Sequence, residues 1–344
     1  SMNETYLWHL RLGHANERRI HAMVDQDLIK GLEKEPFSKC ESCLEGKMTK
    51  RSFRSKGNRA KEVLELIHTD VCGPMSTEAR GGFRYFVTFT DDYSKIGYIY
   101  LMRYKSETFD KFKEFKAKVE TQHGKSIKCL RSDRGGEYLS AEFLDYLSVA
   151  GIESQTTAPG TPQQNGVAER RNRTLLNMVR SMMSYARLPV SFWGHALLSA
   201  NYLLDVLPSK SVPTTPYELW NGRKPNLEHL RVWGCPAHVL EKDPTKLESR
   251  TEVCVFIGYP RGTKAYEFYS LRDQKVIVST HATFLEEDYV MNHKSSSEIA
   301  LEELTQVSTS INQEQLPSVT TTPEISTNTP VSYTHLTLPT ICSV

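Results

Sequence analysis

The sequence lacks any apolar run of the roughly 18–20 residues that a membrane span requires. No secretory leader or other clear targeting signal is visible. Cysteine is scarce, with seven in 344 residues, and only Cys40 and Cys43 are close together. These absences argue against a membrane protein and against a disulfide-stabilised scaffold, and they predict an intracellular protein with one metal site.

A strong net charge is also missing, because 43 basic and 41 acidic residues leave a balance of +2. The charge is unevenly placed, however. From Glu286 onward the chain has eight acids and one lysine, so the part before it carries +9. Residues 47–61 contain seven basic residues and no acid. A basic body is typical of proteins with a polyanionic partner, although the basic run alone is also what a solvated linker looks like.

Residues 63–207 alternate between strand-like and helix-like patterns. The strands are predicted at 63–71, 85–90, 96–102, 127–132 and 152–157, with the first three forming an antiparallel meander. The helices are predicted at 106–122, 140–150, from about 163, and at 192–207. Short β-like runs at 237–240, 253–259, 265–269 and 275–279 then predict a small antiparallel barrel.

Three acidic residues stand where these elements could bring carboxylates together. Asp70 lies at the end of the first strand, Asp133 follows the fourth, and Glu169 lies in the first turns of the long helix. Converging carboxylates can hold the two Mg²⁺ or Mn²⁺ ions that assist phosphodiester chemistry. Taken singly, each acid is more simply a solvated turn or cap residue.

The sequences around these acids resemble the integrases of copia-type LTR retrotransposon Pol polyproteins. The matching stretches are HTDVCGP at 68–74, SDRGGEY at 132–138 and PQQNGVAER at 162–170. The resemblance covers roughly residues 5–290. It implies an α/β, RNase H-like core, a mixed five-stranded sheet flanked by helices, in which Asp70, Asp133 and Glu169 are catalytic and bind two Mg²⁺ or Mn²⁺ ions.

The start of the chain contains a second possible metal site. Four residues separate His9 from His14, and Cys40 and Cys43 form a Cys-x-x-Cys pair. Two histidines and two cysteines are a complete tetrahedral set for one structural Zn²⁺, with no open position for chemistry. His21 is a competing ligand. The stretch WHLRLGH at 8–14 resembles the pre-integrase zinc unit of the same family.

Arginine dominates one face of the predicted long helix, where Glu169 is the only acid up to residue 187. The opposite face is an apolar stripe that is predicted to pack in the core, and it contains Leu175, Met178, Val179, Met182 and Met183. The arginines are either an ordinary charged surface or a set of contacts to DNA phosphates. The predicted contacts on the helix are Arg170, Arg173 and Arg180. The Pro/Gly-rich loop at 158–166 precedes them, and by resemblance it contacts the DNA end through Gln164 and Asn165.

The segment 230–284 resembles the SH3-like β module that follows copia-type integrase cores. Its basic residues could contact DNA, or the module could pack subunits together, and both interpretations stay open. The predicted organisation is a zinc unit (1–46), a basic linker (47–62), the catalytic core (63–210), a connector (211–229), the SH3-like module (230–290) and a disordered Ser/Thr-rich tail (291–344).

The resemblance implies an integrase that processes DNA 3′ ends and joins them to target DNA by metal-assisted transesterification. The expected partners are double-stranded DNA, as element ends and as target, and further copies of the chain in a homo-multimer. A Pol polyprotein with protease and reverse transcriptase is expected to contain the chain, and no membrane is involved. Its site of action is expected to be the nucleus, after a cytoplasmic particle stage. A hydrolytic nuclease of the same fold and a non-enzymatic DNA-binding relic are the alternatives.

Overall fold

The computed structural model describes residues 3–47, 59–156, 166–241, 244–247, 249–260 and 262–294. They belong to a compact unit that runs from Ser1 to Ser296. The predicted tail beyond 294, most of the basic linker, and the loop residues Gln164 and Asn165 lie outside the described residues.

Two five-stranded sheets form the β structure of the described chain. In the first, β1, β2 and β3 form the predicted antiparallel meander, and β4 and β5 run parallel to β1, in the order β3-β2-β1-β4-β5. The mixed five-stranded sheet is therefore confirmed. The strands are β1 (Ile67–Cys72), β2 (Tyr85–Asp91), β3 (Gly97–Met102), β4 (Cys129–Ser132), β5 (Glu153–Thr156), β6 (Pro236–Leu240), β7 (Thr251–Gly258), β8 (Tyr266–Ser270), β9 (Lys275–Ser279) and β10 (Ala282–Phe284).

Helices cover both faces of the first sheet. Side chains alternate between faces along a strand, so Phe86 joins the core beneath α6 and α7, whereas Phe89 stacks on Phe115 of α4 with ring centroids 4.6 Å apart. In the described residues the helices are α1 (Glu4–Arg11), α2 (Glu17–Asp25), α3 (Glu41–Lys47), α4 (Thr108–His123), α5 (Ala141–Val149), α6 (Gly166–Ala186), α7 (Trp193–Val206), α8 (Pro216–Asn221) and α9 (Glu286–Met291).

The apolar face predicted for the long helix is the face that α6 buries. Leu175, Met178, Val179 and Met182 are all buried against the sheet and α7. Burying each such side chain contributes about 1.5–3 kcal/mol relative to exposure. The position of α6 on the sheet is therefore fixed by packing along its length.

The first predicted strand begins too early in the sequence-based assignment. Leu64 has a left-handed φ of 65°, and its N–H donates to Oδ1 of Asp91 at 2.9 Å, so β1 starts only at Ile67. Similarly, the N–H of Ile127 donates to Oε1 of Glu120 at 2.8 Å, and β4 starts at Cys129. At both positions a side-chain carboxylate accepts the hydrogen bond of the backbone N–H, so that N–H is not available for pairing between strands.

The N-terminal helices pack directly on α6. Gly46 of α3 lies so close that an added Cβ would be 2.6 Å from Oγ of Ser181 and 3.1 Å from its backbone nitrogen. The Ser181 hydroxyl donates to the carbonyl of Ser42 at 3.0 Å, and the Ser184 hydroxyl donates to Glu45 at 2.8 Å. The N-terminal helices thus share an interface with the helix that contains Glu169.

The second sheet has the antiparallel order β10-β6-β7-β8-β9. Four strands were predicted; β10 was missed because three residues are too few to show a two-residue period. The sheet packs on α7, where the Ser199 hydroxyl donates to the carbonyl of Ile257 at 3.3 Å. Among the described helices, none combines the length and apolar character needed to cross a bilayer.

Candidate active site and metal centre

Asp70 lies near the end of β1, on the face that points towards α6. His68 and Asp70 share that face because side chains alternate along a strand. The amide of Asn172 on α6 donates to Oδ2 of Asp70 at 2.8 Å. This hydrogen bond joins the central strand to the long helix and fixes the direction of the carboxylate.

Asp133 follows β4, the parallel neighbour of β1. The carboxyl ends of parallel neighbours lie at the same edge of a sheet, so Asp133 is brought close to Asp70. The N–H of Gly135 donates to Oδ1 of Asp133 at 3.0 Å. Behind this turn, the buried Tyr138 hydroxyl hydrogen-bonds to Oγ1 of Thr69 at 2.8 Å, which ties the turn to β1.

Glu169 is exposed in the first turn of α6, three residues before Asn172. Its helical position is the one predicted. The three candidate carboxylates therefore come from a strand, a strand-following turn and a helix, all at one edge of the first sheet.

The electrostatics show that these acids influence one another. Burial, together with the nearby carboxylates of Asp133, Glu169 and Glu137, raises the pKa of Asp70 to about 6, and the hydrogen bond from Asn172 opposes the shift. Crowded carboxylates of this kind favour a proton or a cation in their midst. The half-buried, anionic character of the site thus suits divalent ions with hard oxygen ligands.

Two neighbours of the site were not singled out from the sequence. Asn172 is three residues after Glu169, a spacing that puts both near one helix face and could have indicated it. Glu137 is mostly buried and lies over Gly135, where an added Cβ would be 2.7–2.8 Å from its carboxylate atoms. Lys105 lies 3.6 Å from Glu137. Nothing in the sequence distinguishes Glu137 from an ordinary turn residue.

The arginines of α6 divide into two groups. Arg170, Arg173 and Arg180 are exposed, as contacts to an external partner require. Arg171 is not part of that surface: it is buried, and its guanidinium lies 2.6 Å from the carboxylate of Asp205. Arg171 is not among the predicted DNA contacts, and its side chain points towards α7.

The four predicted zinc ligands form a compact cluster. The donor atoms of His9, His14, Cys40 and Cys43 all lie within 4.8 Å of one another. Sγ of Cys40 is 3.3 Å from Nδ1 of His14, and Sγ of Cys43 is 3.4 Å from Nε2 of His9. Such separations are close to the edges of a tetrahedron with Zn–N and Zn–S bonds of about 2.0–2.3 Å.

The surroundings of the cluster favour the ligand forms of both histidines. His9 donates through Nδ1 to the carbonyl of Ala15 at 2.6 Å, which leaves Nε2 free to face a metal. Burial lowers the pKa of His14 to about 4, so its ring is neutral at pH 7. Lys47 hydrogen-bonds to the carbonyl of His14. His21 lies outside the cluster, 3.9 Å from Glu17. The donor set therefore fits one closed, structural Zn²⁺ site.

One basic residue of the second sheet that could contact DNA, Arg272, is already paired with acidic side chains. Arg272 is 2.7 Å from Glu241, 3.5 Å from Glu252 and 3.3 Å from Asp273. Lys246, Arg250 and Lys264 are exposed, whereas Lys242 and Arg261 lie outside the described residues.

Three family models match the chain in succession. The GAG-pre-integrase domain matches residues 1–48, the Integrase core domain matches 60–162, and the Retroviral polymerase SH3-like domain matches 235–298. The first contains the His/Cys cluster, and the second contains Asp70 and Asp133 but ends before Glu169.

Similar proteins cover most of the chain. The Pol polyprotein from transposon TNT 1-94 of Nicotiana tabacum is 42% identical over 287 residues, which is 82% of this chain and 22% of that protein. The Pol polyprotein from transposon RE1 of Arabidopsis thaliana is 29% identical over 282 residues, which is 80% of this chain and 19% of that protein. The chain thus spans about a fifth of the length of these relatives.

Among solved structures, the simian T-cell lymphotropic virus intasome in complex with the PP2A regulatory subunit B56 gamma matches with a TM-score of 0.41 and 18% identity. The match covers 72% of this chain and 84% of that chain, and it is too distant to support an argument. The domain models and the tobacco relative are sufficient: the chain belongs to the integrases of copia-type retrotransposon Pol polyproteins.

Proposed function

We propose that this chain is a DNA integrase that processes the 3′ ends of element DNA and joins them to target DNA. One observation carries the proposal: Asp70, Asp133 and Glu169 come from three separate elements and converge at one edge of the first sheet, where burial and the neighbouring carboxylates raise the pKa of Asp70 to about 6. Such a site is built from oxygen ligands for divalent cations.

Asp70, Asp133 and Glu169 would bind the two Mg²⁺ or Mn²⁺ ions. When bound, the ions supply charge stabilisation to the attacking and leaving oxygens of the phosphodiester. Asn172 keeps the Asp70 carboxylate oriented, and the N–H of Gly135 does the same for Asp133. Because strand and helix positions hold ligands rigidly, little rearrangement of Asp70 or Glu169 is required on metal binding.

The arginines on the exposed face of α6 would hold DNA phosphates beside the carboxylates. Arg170 and Arg173 flank Glu169 on the same helix, and Arg180 extends the row by two turns. Guanidinium groups bind phosphate through paired hydrogen bonds. Gln164 and Asn165, which precede the helix, would contact the DNA end.

His9, His14, Cys40 and Cys43 would hold one structural Zn²⁺ ion. Because joining two DNA ends requires two active sites, a homo-multimer on element ends and target DNA is part of the proposal. So are release from a Pol polyprotein that also contains protease and reverse transcriptase, a cytoplasmic particle stage and action in the nucleus.

The test is metal-dependent joining of a labelled DNA end to a plasmid. The unsubstituted chain is expected to give joined products with Mg²⁺ or Mn²⁺. Glu169→Gln should reduce joining by about 1,000-fold or more while DNA affinity stays within about twofold, because a metal ligand is lost and the phosphate contacts remain. Glu114→Gln, on the exposed face of α4, is the matched control and should join normally.

The same assay separates the alternatives. Cut but unjoined DNA would indicate a hydrolytic nuclease of the same fold, and DNA binding with no product would indicate a relic. Normal joining by Glu169→Gln would overturn the assignment of Glu169.

A further inference from the structure

Helix α6 buries one arginine beside its candidate metal ligand. Arg171, two residues after Glu169, is only 7% exposed, and its guanidinium lies 2.6 Å from Oδ1 of Asp205 on α7. Taking a charge out of water costs several kcal/mol unless it is paired and hydrogen-bonded. A buried arginine next to an exposed glutamate therefore needs a structural or functional reason.

The guanidinium forms a fork that joins three elements. Nη2 donates to Asp205 at 2.6 Å and to Oδ1 of Asn201 at 2.7 Å, and Nη1 donates to the carbonyl of Lys95 at 2.8 Å. Lys95 lies in the turn between β2 and β3, and the other two partners lie on α7. The guanidinium group is planar and has several donors in fixed directions, so it holds these partners in a fixed geometry. The ammonium group of a lysine could not make the same set of hydrogen bonds.

The fork is accommodated by a glycine. At Gly97, an added Cβ would lie 2.1–2.2 Å from the guanidinium of Arg171. The N–H of Gly97 donates to Oδ1 of Asp205 at 3.1 Å, and Asn201 donates to the carbonyl of Gly97 at 2.7 Å. The start of β3, α6 and α7 therefore meet at one point through buried polar contacts.

These contacts continue towards the strand that contains Asp70. Nζ of Lys95 donates to Oδ1 of Asp92 at 2.5 Å, and the same oxygen is 3.1 Å from Nε2 of His68. His68 and Asp92 are nearly fully buried, and His68 is two residues before Asp70 on the same face of β1. A continuous polar network thus runs beneath the site, from the helix of Glu169 to the strand of Asp70.

We propose that Arg171 is a positioning residue for the carboxylate site. Its hydrogen bonds to α7 and to the β2–β3 turn fix the position of the first turns of α6. They thereby determine the position of Glu169 and the hydrogen bond between Asn172 and Asp70. The proposal rests on the proposed function of Glu169 as a metal ligand. Arg171 itself is buried, so it acts through the position of α6.

The test compares Arg171→Lys and Arg171→Met with the unsubstituted chain and with the control Arg223→Met. Arg223 is exposed and lies in the bend that follows α8. Three quantities are measured on the full chain: the melting temperature, hydrogen exchange of amides 167–175, and Mn²⁺ binding followed by electron paramagnetic resonance without DNA. Arg171→Lys keeps the charge and loses the fork. It is expected to stay folded, to exchange faster at 167–175 only, and to need about 10-fold more Mn²⁺ for half-saturation.

A merely structural role would give a different pattern. If Arg171→Lys folds with normal exchange at 167–175 and normal Mn²⁺ binding, the proposal is overturned. If Arg171→Met fails to fold, because the buried Asp205 carboxylate loses its ion pair, Arg171→Lys and Asp205→Asn decide by the same readouts. If the unsubstituted chain joins no DNA, the proposed function fails, while local exchange still decides the role of Arg171.

Discussion

The two candidate metal centres of this chain differ in how their ligands are arranged and how exposed they are. In the His/Cys cluster, four donors already lie within 4.8 Å of one another, and its histidines are buried. In the carboxylate site the acids are half-buried or exposed, and burial of Asp70 together with repulsion by the neighbouring acids raises the pKa of Asp70. A closed cluster of two histidines and two cysteines suits an ion that stabilises structure, whereas an open edge of carboxylates suits ions that contact substrate.

The same helix, α6, contributes to one centre and packs against the other. Residues 166–172 of α6 contribute to the carboxylate site, and Tyr185 near its other end packs edge-on against the ring of His14, with centroids 5.6 Å apart. Gly46 brings α3 into backbone contact with the middle of this helix. We therefore expect that disrupting the His/Cys cluster lowers the stability of the core domain, whereas removing a charge from the carboxylate site does not.

The largest effect is expected from breaking the zinc cluster. Cys40→Ser should lose the bound zinc and lower the melting temperature by about 10 °C or more, since binding of a structural zinc is worth about 10 kcal/mol or more in small zinc domains. Metal analysis and thermal circular dichroism measure both. Cys129→Ser, another buried thiol, should keep one zinc per chain. Full zinc content in Cys40→Ser would contradict the assignment.

The next effect concerns the contact between α3 and α6. Gly46→Ala should destabilise the protein by about 1–3 kcal/mol, because its Cβ would overlap Ser181 and force the helices apart. Chemical denaturation provides the measurement. Gly136→Ala is the control, since an added Cβ there meets no atom within 4 Å in the described residues. Equal stabilities for the two variants would show that α3 is only loosely attached.

At the carboxylate site, removing a charge should stabilise the metal-free protein. The folded-state pKa of Asp70 is raised to about 6, so without metal the folded state binds a proton more tightly than the unfolded chain, and stability falls as pH rises from about 4 to 6. Asp70→Asn should therefore be more stable than the unsubstituted chain at pH 7.5, by about 1–2 kcal/mol, and no more stable near pH 4.

Thermal melts at both pH values, with and without Mg²⁺, measure this difference. Mg²⁺ should raise the melting temperature of the unsubstituted chain and leave that of Asp70→Asn nearly unchanged. Asp110→Asn, an exposed acid on α4, is the control and should shift neither. A destabilised Asp70→Asn at pH 7.5 without metal would mean that Asp70 stabilises the fold.

The smallest effect is expected at the exposed arginines. Arg173→Ala should weaken DNA binding uniformly across sequences and reduce the slope of log affinity against log salt by about 1, because one phosphate contact is lost. Fluorescence anisotropy at several salt concentrations measures the slope. An unchanged slope would remove Arg173 from the predicted contacts.

The sequence predicted the elements that have a strong local signal. Alternating aromatic and β-branched residues indicated β2 and β3, and the apolar stripe of the long helix matched the face that α6 buries. The residues of the His/Cys cluster were also predictable, because Cys-x-x-Cys with two histidines indicates a metal site with nitrogen and sulfur ligands.

What the sequence did not show depends on contacts between distant residues. Arg171 looks like its neighbours Arg170 and Arg173, and only the meeting of α6, α7 and Gly97 reveals that it is buried. Asn172 acquires a role through Asp70, 102 positions earlier. The start of β1 was misplaced because Asp91, distant in sequence, captures the N–H of Leu64.

We expect Asp70, Asp133 and Glu169 to bind the catalytic ions together. Anomalous diffraction from crystals of the chain with a DNA end and Mn²⁺ would locate these ions. Two manganese peaks are expected among the three carboxylates, and at least one of them should be lost in Glu169→Gln. Manganese bound elsewhere, or peaks unchanged in Glu169→Gln, would contradict this expectation.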